Sequence, residues 1–315
     1  LKGVKLIYSR VLSVLLLIFV GASLSPVSQA QNLPSVVSSF FVNFVFVNAV
    51  AGDLVNLDVA VGPGLDPHEF EPNVQDVEKI QNANMFVYNG AGFENPWVDP
   101  LLDNGTINPN SQVIVETIRL VNENGDLIEI AGEDEENFET NPHIWLDPVL
   151  ASEIIRTIED GLVQLNPENE MTFRNNAQAF RGDLGVLDLD YQAGLALCDQ
   201  NTIVQSHAFL DYLARQYGFD VITASGIEPE EPSVAGLEAV IQFVRDNNVN
   251  FLFTESQDEA DLTGLQQVSD ATGAEILFLE VFEGFEGDVV SLEDIDYFAV
   301  MRENLEALST GLECE

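Results

Sequence analysis

Three histidines are the only imidazoles in the chain, and each stands where a regular element should begin or end: Asp66-Pro67-His68, Asn141-Pro142-His143 and Ser206-His207. A lone histidine reads as packing or surface decoration, but the shared placement of these three points to chemistry. His68 follows a predicted strand ending near Val61 through Gly62-Pro63-Gly64, and His143 lies just before a helix beginning near Pro148. His207 ends the predicted strand Thr202–Gln205, and Glu280 ends the predicted strand Glu275–Leu279. Ligands of open α/β sheets bind outside the carboxyl ends of the strands. Two such edges facing each other would bring His68 and His143 from a first lobe against His207 and Glu280 from a second. Three imidazoles and a carboxylate suit tetrahedral zinc, whereas calcium and magnesium sites are built from oxygen. Neutral imidazole is the binding form, so a proton competes with the metal. Pro67 and Pro142 restrict the backbone before two of the histidines and lower the cost of ordering them. Asp66 and Asp147 could accept hydrogen bonds behind the ligands or cap helices. Asp147 precedes Pro148, a natural first helical residue, and is read as a cap.

The elements that must position these residues follow from periodicity. Candidate strands are Val36–Phe41, Leu54–Val61, Met85–Tyr88 and Gln112–Glu116 in the first half, then Thr202–Gln205, Val221–Ala224, Asn250–Thr254 and Glu275–Leu279. Amphipathic helical spacing runs over Val74–Asn82, Ala208–Tyr217, Val234–Asn247 and Leu262–Thr272. That alternation predicts an α/β protein of two parallel-sheet lobes. Between them, Pro148 to Leu197 carries two long helical patterns broken at Asn166-Pro167. The second piece, from Glu168, would extend about 45 Å if unbroken and could brace both lobes, although Gly182, Gly185 and Gly194 weaken it. The expected division is an export segment at 1–30, a first lobe at 31–165, a connecting helix at 166–197 and a second lobe at 198–315.

The export reading rests on Lys2, Lys5 and Arg10, the apolar run Val11 to Val20 and the small-residue site Ser28-Gln29-Ala30. No cysteine follows that run, so a lipid anchor is not expected, and the exported chain should be soluble, periplasmic or extracellular, and monomeric. Formal net charge is −42, and residues 31–315 hold 53 acidic against 8 basic residues. Nucleic acid is excluded as a natural partner by that sign, which gathers cations and opposes compaction. Such acidity fits a saline medium that screens the repulsion. The stretch Glu129 to Glu139 reads as a solvated acidic loop. Cys198 and Cys314 can form one disulfide between the start of the second lobe and the chain terminus.

These segments resemble the metal-binding receptors of bacterial ABC importers for zinc and manganese. The resemblance is carried by Val36-Val37-Ser38-Ser39-Phe40-Phe41, Gly64-Leu65-Asp66-Pro67-His68-Glu69-Phe70-Glu71-Pro72 and Phe86-Val87-Tyr88-Asn89-Gly90. It continues through Asn141-Pro142-His143-Ile144-Trp145-Leu146-Asp147-Pro148, Val204-Gln205-Ser206-His207-Ala208-Phe209 and Phe253-Thr254-Glu255-Ser256-Gln257. The order is unbroken from about Ser35 to the C-terminus. The resemblance implies two lobes joined by a long rigid helix, a metal at their interface, and delivery to a membrane permease driven by a separate ATPase. It places the family ligands on His68, His143 and His207, and histidine at the third position is the zinc-type choice. It also fits a Cys198–Cys314 bridge.

Two departures stand out. The fourth family position is usually aspartate, where Phe278-Leu279-Glu280 offers a glutamate, with Glu255 as a substitute ligand should Glu280 point away. The histidine-rich loop of many zinc-type members is replaced by the acidic stretch. Manganese or iron therefore remain alternative cargoes. Two other classes are open: a zinc hydrolase, though there is no His-Glu-x-x-His run, and a surface adhesin that keeps the metal fold.

Overall fold

The β-branched runs become short parallel strands. The computed structural model describes residues 33–62, 65, 67–68, 70–129, 140–224, 233–255, 262–283 and 295–315. The export segment, Asp66 and nearly all of the acidic stretch lie outside the described residues. In the first half, β1 (Ser35–Ser38), β2 (Asn56–Val59), β3 (Met85–Tyr88) and β4 (Val113–Glu116) form a parallel sheet of order β2-β1-β3-β4. In the second, β5 (Thr202–Gln205), β6 (Asp220–Thr223), β7 (Phe251–Thr254) and β8 (Glu275–Phe278) repeat that arrangement as β6-β5-β7-β8, again parallel. The α/β architecture of two parallel-sheet lobes is thus present; His68 and His207 follow the carboxyl ends of β2 and β5, and His143 lies between the helix after β4 and the 3-10 turn Ile144–Leu146.

Ten α-helices cover the sheets among the described residues: α1 (Phe41–Ala51), α2 (Val74–Asn82), α3 (Asn95–Asp103), α4 (Arg119–Asn124), α5 (Pro148–Leu165), α6 (Glu170–Gly194), α7 (Asp211–Tyr217), α8 (Val234–Asn247), α9 (Thr263–Thr272) and α10 (Tyr297–Gly311). The strand expected over Val36–Phe41 stops at Ser38, and Phe41 opens α1 instead. The sequence of α1, Phe-Val-Asn-Phe-Val-Phe-Val-Asn-Ala-Val-Ala, has β-forming residues and no polar face, yet it is helical because burial surrounds it on nearly every side. Local signals set other starts. Asn73 and Asp76 form a reciprocal capping box on α2. Asp147 caps α5 by accepting from the amides of Val149 and Leu150, with Pro148 in the first turn.

The connecting region breaks where Asn166-Pro167 forecast, at a single 3-10 turn, Pro167–Asn169, from which α6 runs about 37 Å. Gly182 and Gly185 are tolerated on its exposed side, where an added Cβ would meet nothing. Gly194 lies against Leu305 of α10, in the packed seam between these helices. One continuous core includes residues of both halves of the chain and of α5, α6 and α10, with Trp145, Tyr191 and Tyr297 fully buried in it. Smaller clusters lie under α2 and α3 on one sheet and under α8 and α9 on the other. Residues Leu33–Glu315 accordingly behave as one compact unit. Cys198 and Cys314 are joined in a disulfide that ties the segment before β5 to the end of α10 across 116 positions.

Candidate metal centre

Four side chains converge between the sheets: His68, His143, His207 and Glu283, with one donor atom from each lying within 4.8 Å of all the others. His68 comes from the turns after β2, His143 from the segment that opens the 3-10 turn Ile144–Leu146, and His207 from the second position after β5. His143 and His207 are wholly buried, and the Glu283 side chain is 7% exposed. The Nε2 atoms of His143 and His207 approach to 3.3 Å, and those of His68 and His143 lie 3.4 and 2.8 Å from the two carboxylate oxygens of Glu283.

The carboxylate that the structure sets among the three histidines is that of Glu283, whereas the sequence pointed to Glu280. Glu280 bends back on its own loop: its Oε1 accepts from the amide of Phe282 at 2.8 Å. Its backbone is clamped by Asn304, which accepts from the Glu280 amide at 3.0 Å and donates to the Glu280 carbonyl at 2.7 Å. The chain then turns through Phe282, which has a positive φ of 65° and a ring stacked on Tyr297, and this turn presents Glu283 to the histidines. Glu255, the substitute, also takes a different place. It follows β7 directly, and its Oε1 meets Nδ1 of His207 at 2.9 Å while Oε2 accepts from the Ser206 hydroxyl.

Those outer partners fix which imidazole nitrogen faces inward. Asn141 donates its amide NH2 to the Ala208 carbonyl at 2.7 Å and to Asp211 at 3.0 Å, so its Oδ1 is the atom turned toward His143. Oδ1 accepts from the His143 amide at 3.0 Å and meets Nδ1 at 2.8 Å, which requires the proton on Nδ1. Glu255 does the same for His207. Burial tends to raise Glu255, but the His207 imidazole and the Ser206 hydroxyl outweigh it and hold the carboxyl below its usual range. Both Nε2 lone pairs therefore point at the centre. Burial also pushes His143 down to about 4 against the pull of Glu283, which favours the neutral ring. Burial works against ionisation of Glu283 too, yet His143 and His68 hold it well below the carboxylate range.

Facing lone pairs at these separations need a positive charge among them. A proton can serve between His143 and Glu283, and a metal ion satisfies every donor at once. For zinc with nitrogen ligands at ~2.0–2.1 Å, the edge of a tetrahedron is about 3.3–3.4 Å. The 3.3 Å between Nε2 of His143 and His207 and the 3.4 Å between His68 and Glu283 match that edge, and the 2.8 and 3.9 Å from Glu283 to His143 and His207 lie on either side of it.

Hydrogen bonds across the seam hold the His143 segment against the second sheet's loops. The Tyr212 hydroxyl donates to the Asn141 carbonyl at 2.7 Å, Trp145 Nε1 donates to the Val281 carbonyl at 2.8 Å, and the Tyr297 hydroxyl donates to the Trp145 carbonyl at 2.7 Å. The His68 ring lies edge to face against Phe93 at 4.8 Å.

Comparison with known proteins follows the same outline. The family described as zinc-uptake complex component A, periplasmic, matches residues 36–311. The chain belongs to this family. Among curated relatives, the zinc-binding lipoprotein AdcA of Streptococcus pneumoniae (TIGR4) is 33% identical over 293 residues, covering 89% of this chain and 56% of the relative. The chain thus spans about half the length of AdcA. The high-affinity zinc uptake system protein ZnuA of Bacillus subtilis is 26% identical over 287 residues, covering 88% and 87%. Of solved family structures, Zn(II)-bound AdcA of S. pneumoniae superposes with a TM-score of 0.74 at 32% identity, over 90% of this chain and 58% of that one. The laminin-binding protein Lmb of Streptococcus agalactiae, described as bifunctional with adhesin and metal-transporting activity, gives 0.75 at 27% identity, over 89% and 99%.

The structure brings the three histidines that the sequence singled out together, and it adds Glu283 among them and Asn141 and Glu255 behind them, places to which the sequence did not point. Asn141 had a readable signal, since it stands two residues before His143 as the residue whose amide can reach back to that ring. Glu283 had none beyond its closeness to the strand end.

Proposed function

We propose that this chain is an extracytoplasmic receptor that binds Zn²⁺ through His68, His143, His207 and Glu283 and delivers it to the membrane permease of an ABC-type importer. The observation that carries the reading is the pair of Nε2 atoms 3.3 Å apart, each turned inward because its ring's Nδ1 is committed to Asn141 or Glu255. Three nitrogens and one oxygen favour zinc over manganese, which prefers oxygen-rich octahedral sites. The fourth donor supports carriage over hydrolysis, because catalytic zinc sites keep an open position for water. Capture then consists of exchanging a proton for the ion, with no covalent change. The zinc named for AdcA and ZnuA supports the same cargo.

The exported, soluble, monomeric state belongs to this proposal, as do the lobe limits 31–165 and 198–315 and the connecting segment 166–197. Among the described residues no helix is long and apolar enough to cross a membrane. The test is a competition titration of stripped protein with Zn²⁺, Mn²⁺ and Fe²⁺, with proton release recorded. One tight zinc equivalent that displaces at least one proton near neutral pH is expected. Preference for manganese over zinc would overturn the choice of cargo.

A further inference from the structure

A second buried carboxylate lies behind the centre and outside the donor set. Glu94, 2% exposed, sits just before α3 in the loop that follows β3. Its Oε1 accepts from the amide of Asn89 at 2.7 Å and its Oε2 from the amide of Gly90 at 2.9 Å. Ser39, at the end of the neighbouring strand, adds a side-chain hydrogen bond. Asn43 of α1 in turn donates to the Ser39 hydroxyl at 3.2 Å and leaves its own buried carbonyl oxygen without a partner. Among the described residues no cationic side chain pairs with Glu94, and burial raises its carboxyl to about 7 despite these donors. A carboxyl kept under such a penalty suggests work other than stability.

The loop it grips is unusual. Gly90, Ala91 and Gly92 have φ of 90°, 58° and 87°, three successive residues in the left-handed region, one of them with a Cβ. From this loop two contacts reach the metal centre. Phe93 lies edge to face against His68 at 4.8 Å and is held on its other sides by Phe40 at 4.9 Å and Trp145 at 5.8 Å. The Asn89 side chain donates at 3.1 Å to the carbonyl of Pro142, the residue before His143. Thr117 donates to Asn89 Oδ1 at 3.3 Å and so keeps that amide oriented.

We infer that Glu94 is a positioning residue for metal binding: by holding the Asn89–Phe93 loop in its left-handed course it sets His68 through Phe93 and His143 through Asn89. The inference rests on the metal-receptor reading above. It deepens that reading by adding a residue that touches no donor atom yet governs two of them.

The test is zinc affinity by competition with a chelator, at a temperature where each protein is folded, for the parent, Glu94→Gln, His68→Ala and the double variant. Glu94→Gln places an amide NH2 against one of the two backbone donors and should weaken zinc binding on the order of tenfold, within the ~10–100-fold seen for outer partners of metal ligands. In the His68→Ala background the same change should cost less than half as much on a logarithmic scale, because part of its effect passes through His68. A purely structural Glu94 would lower the melting temperature without this coupling. Should Glu94→Gln not fold, Phe93→Leu keeps the apolar contact, removes the ring edge and should weaken zinc several-fold with the same non-additivity. Parent-like affinity in Glu94→Gln or Phe93→Leu, or equal losses with and without His68, would overturn the inference while leaving the receptor reading intact. A parent that binds no zinc would overturn both.

Discussion

The two sides of the metal centre are held by different physics. On one side, His143 and His207 have their outer nitrogens committed to Asn141 and Glu255, and the segment bearing His143 is stitched to Ala208, Val281 and Tyr297 by short hydrogen bonds. On the other, His68 comes from turns, and its ring lies edge to face against Phe93 and 3.4 Å from a carboxylate oxygen of Glu283. Hydrogen bonds from behind the ring fix its orientation and tautomer together. The first pair is therefore preorganised by groups outside the donor set, while His68 stands farther from Glu283, at 3.4 Å against 2.8 Å for His143.

Removing one ligand from each side gives the largest expected effect. His143→Ala should weaken zinc binding by more than about a hundredfold, beyond what outer partners are worth, and His68→Ala by less, on the order of tenfold to a hundredfold. Calorimetric or competition titrations will rank them, and a larger loss for His68→Ala would invert the comparison. Next comes Glu255→Gln, which keeps the shape but offers His207 a weaker acceptor. About a tenfold loss of affinity is expected, with little change in stoichiometry. Unchanged affinity would mean that the Nδ1 partner does not set the ligand.

Smaller effects should separate Glu280 from Glu283. Glu280→Ala should leave zinc affinity within about threefold and lower stability by about 1 kcal/mol through the lost hydrogen bond to Phe282. Zinc titration with denaturant unfolding will show whether the effect falls on folding or on binding. The smallest effect on zinc affinity belongs to Asp147, where the stitched segment ends and the signal is instead a pH dependence of stability. Burial raises this carboxyl to about 7 although the Val149 and Leu150 amides pull it down. Its folded value thus exceeds the unfolded one, so its contribution is full below about pH 4 and is lost as pH rises through 7. Asp147→Asn keeps the cap and removes the charge. Relative to the parent, the unfolding free energy of this variant should rise between pH 5 and pH 7, by at most a few kcal/mol at ~1.4 kcal/mol per tenfold change in acidity, and level off above; denaturant unfolding across that range will check it.

Much of this was legible beforehand, and the failures have definite causes. Strand ends and Pro-His pairs located the histidines, because the carboxyl edge of a parallel sheet is a place that periodicity can identify. Glu283 was hidden by a turn with a non-glycine residue at positive φ, which nothing in Leu279-Glu280-Val281-Phe282-Glu283 announces. The helix α1 was hidden because its residues favour strands and only its burial on all sides makes it helical. Glu255 was visible as a site residue, but whether a carboxylate meets the ion or the far side of an imidazole depends on separations that spacing along a chain does not encode.

The central claim is the identity of the four donors. Anomalous diffraction at the zinc edge from crystals of the zinc-loaded protein tests it directly. The account predicts one ion at ~2.0–2.2 Å from Nε2 of His68, His143 and His207 and from a carboxylate oxygen of Glu283. An ion bound by Glu280 or Glu255, or lying away from the three histidines, would contradict it.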